Sequence, residues 1–445
     1  MPEAFELVTA AIIAVGVCAA AVLAPPAWAL SGALVLSVFQ NHWDEIGVGV
    51  SVDRYVMLLV IGVILAREWR HRDGRLTTRP VHWLLAVTLI YAATSAWVVG
   101  ELSGGGRFEL VDRFGVMPFM LFFLAPLVFR TEEARRILLG TVVGIGAYLG
   151  VTALLETTGP DALIVPSYIT DPAVGLHHDR ARGPFADAGA NGVALYMCAV
   201  AAVIAFLKWR NPRWRAFALV VAGLCLLGVL FALTRAVWLG ALIASPLALL
   251  ATRETRRFLV PGALVGLVLV FGAFALVPGL QDRAEKRRSD KQPVWDRQNS
   301  NAAAWRMLED RPLFGFGWAR FKKDSPPYYQ QSNDYPLGSF GNLHNVYLAN
   351  AVALGLVGFV LWVAALATAI GGAIVRRGPP ELTPWKIGLI AITVCVLVEW
   401  ATAPGRYVFP TLLMRTWAGV AWGPRSSEER AVVHDGHAAR ELQHA

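Results

Sequence analysis

The chain has 445 residues, 56% of them hydrophobic and only 16% charged, with 16 Trp and a mean hydropathy of +0.50. That balance excludes a soluble globular protein and points to an all-α polytopic membrane bundle, because a span takes roughly 20 apolar residues and such stretches recur from end to end. The net charge of +8 is read by position, since basic residues in a membrane protein report orientation before they report nucleic acid, and no DNA-binding signature is present.

In chain order, Met1-Pro2-Glu3-Ala4-Phe5-Glu6 lacks the basic start of a cleaved signal peptide, so the first apolar stretch is expected to be retained. Residues 7–40 hold two short apolar runs broken by Ala24-Pro25-Pro26. If both cross, about 13 spans result with the N-terminus outside; if they form one bent element, about 12 with both ends inside. A run at 55–66 follows Asp53-Arg54. Basic clusters then stand at Arg67 to Arg79, Arg130 to Arg136, Lys208 to Arg215, Arg253 to Arg257 and Arg376-Arg377. The excess of Lys and Arg makes these cytoplasmic.

Between the clusters the chain crosses out and back at 80–100 and 111–129, 137–155 and 191–207, 216–233 and 236–250, and 258–277 with the helix opening near His344. Spans at 387–400 and 407–422 return the tail to the cytoplasm. The expected organisation is an N-terminal bundle at 1–277, a large extracytoplasmic, partly helical segment at 278–343, C-terminal spans at 344–422 and a tail at 423–445. A shorter outer excursion runs over 157–189. Cys18, Cys198, Cys225 and Cys395 lie in apolar stretches without CxxC spacing or a His partner, which reads as packing.

Within the large outer segment, Ser300 is expected to cap a short helix over 301–309, and Arg311-Pro312 to end it. Trp305 and Leu308, three apart, are expected to share a face. Leu313-Phe314-Gly315-Phe316-Gly317-Trp318 reads as a tight glycine-dependent turn. Gly341-Asn342-Leu343-His344-Asn345-Val346-Tyr347-Leu348 closes the polar excursion and opens an apolar helix, so His344 stands at a water-to-membrane boundary. A titratable ring at that depth can act on a lipid headgroup.

Arg297, Pro312-Leu313-Phe314-Gly315-Phe316-Gly317, His344-Asn345-Val346-Tyr347-Leu348 and Leu354-Gly355-Leu356-Val357-Gly358 together resemble the R…PLxGxG…HNxYL…LGLxG pattern of the O-antigen ligase and Wzy-polymerase superfamily. Arg180-Ala181-Arg182-Gly183-Pro184-Phe185 with Asn191 is similar to that family's RxxGxFxxPN segment, and Thr234-Arg235-Ala236-Val237-Trp238-Leu239-Gly240 to its TxSRxxWLG segment. Two positions depart from the pattern: Ala353 stands where an acidic residue often precedes LGL, and Ala188-Gly189-Ala190 replaces the proline before Asn191.

The resemblance implies a glycosyltransferase-C-like enzyme of the bacterial inner membrane that moves a glycan from a polyprenyl-diphosphate carrier to an acceptor on the outer face, with no cofactor and no metal. Its partners would be the lipid-linked donor, a glycan or lipid-linked acceptor and the bilayer. Carried onto this chain, the functional set is His344, Arg180 and Arg297, with Arg182 as an alternative cation. The chemistry suits the residues. Charge grows on phosphate oxygens as the anomeric bond breaks, and guanidinium stays ionised and binds phosphate through paired hydrogen bonds. A histidine, ordinarily titrating near ~6.5, can take the acceptor proton or hydrogen-bond the diphosphate instead.

Blander readings stand beside these. Arg180 and Arg182 can snorkel to headgroups; Arg235 can pair structurally or touch the carrier; the run Arg283 to Arg288 reads as a solvated or anionic-surface patch. Glu399 with Arg406 or Arg415 suggests an internal ion pair, and Asp53-Arg54 and Asp112-Arg113 local pairs. His177-His178-Asp179 resembles a metal set only superficially. Tyr328-Tyr329 and Trp318 can stack on sugars or anchor at the interface. A Wzy-type polymerase uses the same motifs with a lipid-linked repeat as acceptor. A transporter or flippase is a rival of another class, against which stands the lack of a strong internal repeat.

Overall fold

A computed structural model describes residues 16, 19–70, 78–103, 106–176, 178–277, 279–289, 291–330, 343–402 and 407–423. The principal helices are α1 (Pro26–Leu36), α2 (Val52–Arg70), α3 (Pro80–Val98), α4 (Gly106–Val128), α5 (Glu132–Thr158), α6 (Ala188–Lys208), α7 (Pro212–Phe231), α8 (Arg235–Leu250) and α9 (Leu259–Leu276). They continue with α10 (Leu280–Ser289), α11 (Gln292–Asp310), α12 (Val346–Leu366), α13 (Thr383–Trp400) and α14 (Val408–Trp422). No strand occurs among the described residues, and the fold is all-α and polytopic.

Eight helices among the described residues are long and apolar enough to cross a membrane. The expected count of 12 to 13 is reached only by adding α1, α2, α8 and α14. Of these, α8 and α14 have 16 and 15 residues, and α2 carries Asp53, Arg54, Arg67, Glu68 and Arg70. The question of a further crossing before Ala24, and of the side on which the chain starts, falls largely on residues outside the described ones, as do Cys18 and the tail from Pro424.

Contacts between helix ends show that α1 to α9 and α12 to α14 alternate in direction. At one end Arg79 and Arg376 lie over the Trp422 ring, 5.8 and 5.6 Å from its centroid, Arg135 reaches Glu381 at 3.4 Å, and Arg67 donates to the Ala24 carbonyl at 3.0 Å. At the other end the Ala181 N–H donates to the Phe231 carbonyl at 3.1 Å, Arg54 meets Asp112 at 2.6 Å and the Phe185 and Phe409 rings are 6.0 Å apart. The basic clusters therefore share a single end. The two outer excursions leave from the opposite one, called here the loop end.

Helix α6 is the centre of the bundle: 78% of its apolar window is buried, against 6% for α9, which lies on the periphery. Small residues allow this density. A Cβ on Gly240 of α8 would lie 2.9 Å from the Cys395 carbonyl of α13, and one on Gly146 of α5 would lie 2.8 Å from Cys198 of α6. Cys198, Cys225 and Cys395 are buried free thiols, filling the core as small apolar groups.

Asp112 corrects one reading. It sits in a π-helical turn, Leu110–Phe114, of α4 and pairs with Arg54 of α2, with Gln40 donating to the same oxygen at 2.9 Å. Arg113 is 3.9 Å away. The pair that matters joins two helices rather than adjacent residues, because burial makes an unpaired carboxylate costly.

Candidate active site

The PLxGxG and LGLxG segments form one structural element. Helix α12 breaks at Gly355 (φ 65, ψ −179), and residues 312–317 insert into the break. The Phe316 and Gly317 N–H groups donate to the Val352 and Ala353 carbonyls, both at 2.9 Å, while Leu356 and Val357 donate to the Pro312 and Leu313 carbonyls at 2.7 and 3.3 Å. A helix broken at membrane depth must have its freed backbone groups satisfied by protein, and here another stretch of backbone does so. The approach requires glycine. A Cβ on Gly355 would lie 2.2 Å from the Leu313 carbonyl oxygen, and one on Gly315 (φ +69) 2.4 Å from that of Val352. Trp318 completes the anchor, donating to the Gly106 carbonyl at 3.1 Å and meeting the Phe114 ring edge-on at 4.6 Å. It is buried, which removes it from the candidates for sugar stacking.

This splice carries α11 onto α12. Met307 and Leu308 of α11 pack with Leu343, Leu348, Ala351 and Val352. Helix α11 begins at Gln292, so Ser300 is interior and donates to the Arg297 carbonyl at 3.1 Å instead of capping a shorter helix. Trp305 is exposed while Leu308 is buried, so they do not share a buried face; the end at Asp310 is as expected. Arg297 is half-buried in the first half of α11. Asn345 caps α12 by accepting from the Leu348 N–H at 3.1 Å, with half-buried His344 immediately before the cap. Gly341 and Asn342 lie outside the described residues. The Tyr347 hydroxyl donates to the Leu397 carbonyl at 2.9 Å, binding the first turn of α12 to the last turn of α13.

Arg180 and Arg182 lie in the loop between α5 and α6 and have different surroundings. The Arg182 guanidinium is buried and donates to the Ile169 carbonyl at 2.9 and 2.8 Å, to that of Val174 at 2.5 Å, and to that of Asp171. Its backbone N–H donates to Glu156 at 3.1 Å, and that of Gly183 does so at 3.0 Å. Burial pulls the Arg182 guanidinium below its ordinary range, with Glu156 and Asp171 opposing. Arg182 thus holds residues 169–174 against α5. Arg180 has its Nε 3.7 Å from the half-exposed Asp179 carboxylate. Asn191, wholly buried in α6, donates to the Ala181 carbonyl at 3.1 Å, and a Cβ on Gly183 would fall 2.6 Å from the Asn191 Oδ1. Tyr168 closes the loop, donating to the Pro184 carbonyl at 2.6 Å and stacking on His42 at 5.0 Å, and burial pushes its hydroxyl above the usual phenol range.

A third cluster connects these parts. Asp187 caps α6 by accepting from Ala190 at 2.9 Å, and the Tyr407 hydroxyl hydrogen-bonds both to it and to Glu399 at the end of α13. Tyr407 fits because Gly189 has no side chain: a Cβ there would lie 2.4 Å from the hydroxyl. The expected ion pair of Glu399 with Arg415 is not formed, and Arg406 lies outside the described residues. Asp187, Tyr407 and Glu156 were missed by sequence reasoning. Asp187 had a local signal, an acceptor three residues before the N–H it caps; Glu156 had none, since its partners are 26 and 27 residues away.

The Arg180 loop, the first turn of α12 and exposed Arg235 at the start of α8 therefore stand at the loop end, the first two connected through Asp187, Tyr407 and the last turn of α13. Among the described residues no three His, Cys, Asp or Glu side chains gather as metal ligands would, and His177 is outside them. No curated protein matches the chain. Residues 220–363, from the middle of α7 into the second half of α12, match the family model described as O-Antigen ligase, and over that stretch, which contains Arg235, Arg297, the glycine splice and His344, the chain resembles the O-antigen ligase and Wzy superfamily.

Proposed function

We propose that the protein transfers a glycan from a polyprenyl-diphosphate carrier to an acceptor hydroxyl at the loop end, on the outer face of a bacterial inner membrane, in the manner of an O-antigen ligase. The acceptor oxygen attacks the anomeric carbon as the bond from that carbon to the diphosphate breaks. The diphosphate departs on its lipid, the acceptor proton passes to His344, and attack from the opposite side inverts the centre. Arg180 and Arg297 meet the charge that develops on the phosphate oxygens, where preorganised donors act most strongly. Arg182 serves the loop, and Arg235 faces the carrier. No metal is required in this scheme, since the guanidinium groups supply the positive charge.

The observation that carries this reading is the juxtaposition of the first turn of α12 with the Arg180 loop across α13. The family match over 220–363 supports it from the sequence side. The test is a reconstituted transfer assay with a defined polyprenyl-diphosphate sugar, with and without chelator, on wild type and on His344→Gln, Arg180→Lys and Arg297→Lys. Each variant is expected to fall by about 10²–10³-fold with the chelator without effect; wild-type rates in all three would sink the assignment. A requirement for a separate acceptor marks a ligase, while a product ladder from lipid-linked repeats alone marks a polymerase.

A further inference from the structure

We infer that Arg415 holds a halide-sized inorganic anion inside the helix bundle, a site independent of glycan transfer. Arg415 lies midway along α14, is 6% exposed, and has its Nε and Nη1 buried without a hydrogen-bond partner. Among the described residues no carboxylate lies within the 4.0 Å of an ion pair with it. The acidic groups of the neighbouring helices are committed elsewhere, Asp112 to Arg54 and Gln40 and Glu399 to Tyr407. A charge at this depth is expensive unless partnered, and a buried cation without a counter-charge is the costliest form of such burial.

The side chain borders a cavity of about 20 Å³ between α3, α4, α12 and α14, lined also by Thr88, Phe119, Phe122, Trp362 and Leu366. A space of roughly 10–15 Å³ admits one water-sized particle, so the cavity has room for a small occupant beside the guanidinium. Water would accept a guanidinium hydrogen bond and leave the charge in place. A monovalent anion accepts the same bonds and cancels the charge, which in a low-dielectric interior is the larger effect. The bound anion would then fasten α14 to three neighbouring helices.

Purified full-length protein, exchanged into gluconate in detergent, tests this by equilibrium binding of radiolabelled chloride and by thermal unfolding at constant ionic strength. Saturable binding is expected, with a Tm that rises with chloride and bromide but not with sulfate, as ligand linkage requires. Arg415→Met should lose both the binding and the anion-dependent rise. The inference is overturned if wild type binds no chloride, or if Arg415→Met keeps both responses. Should Arg415→Met fail to fold, Arg415→Lys decides: its differently placed charge should bind chloride at least tenfold more weakly, and unchanged affinity would overturn the site.

Discussion

The splice between residues 312–317 and α12 and the loop that ends at Asp187 both stand at the loop end of the bundle, yet different materials hold them. In the splice, backbone meets backbone, and glycines matter because nothing projects from them. In the loop, a buried guanidinium, a carboxylate, an amide and a phenol take up the backbone groups that no secondary structure satisfies. The first kind of construction tolerates no added atom; the second tolerates changes of shape but not of donor and acceptor. A motif of the PLxGxG kind therefore marks architecture, since its glycines are what let two stretches of backbone meet.

The largest effect should come from the splice. Gly355→Ala puts a Cβ 2.2 Å from the Leu313 oxygen at a φ of +65, and strained backbone with an unrelieved clash costs about 3 kcal/mol or more. Loss of the monodisperse folded species in detergent, or a large fall in Tm, is the expected result. Wild-type stability in the Gly355→Ala variant would show that the backbones are not in contact. Arg180→Lys tests the loop in the opposite sense: transfer should fall by about 10²–10³-fold, a larger effect than that on Tm, because the buried side chain keeps its charge and most of its length while losing the paired hydrogen bonds of the guanidinium.

Much of this architecture was legible from the chain. The helices at 80–98, 188–208, 235–250 and 259–276 lie within three residues of the expected spans, because continuous apolar runs and flanking basic residues are local signals. The location of Arg180, Arg235 and His344 at the loop end followed from the same charge pattern. What was not legible depends on partners far apart in sequence. Arg54 finds Asp112 58 residues away, Trp318 finds Gly106 212 residues away, and the loop's own arginines were told apart only by Glu156 and the carbonyls around Arg182. Ser300 misled for a different reason: its hydroxyl bonds the carbonyl of Arg297 inside a helix, a use that competes with capping in the same residue type.

Within the loop, Glu156→Gln should rank below the splice and Arg180 variants. Its carboxylate accepts from two adjacent N–H groups, and removing the charge weakens charge-assisted bonds in a buried setting by about 1–3 kcal/mol. Protease cleavage within residues 169–187 should accelerate in step with the fall in Tm. Unchanged cleavage would mean that Arg182 alone fixes the loop.

Tyr168→Phe is the smallest change and separates hydrogen bonding from packing, because the ring that stacks on His42 remains. Loss of the bond to the Pro184 carbonyl should cost about 0.5–1.5 kcal/mol. That bond can be donated only by the neutral phenol, and burial holds the folded hydroxyl above its ordinary range. The unfolded chain ionises near pH ~10, so above that value it binds fewer protons than the folded one and the contribution of Tyr168 declines. The difference in Tm between wild type and Tyr168→Phe should be full at pH 7 and shrink beyond pH ~10. A gap that stayed constant, or widened, would mean that the hydroxyl is not the group closing the loop.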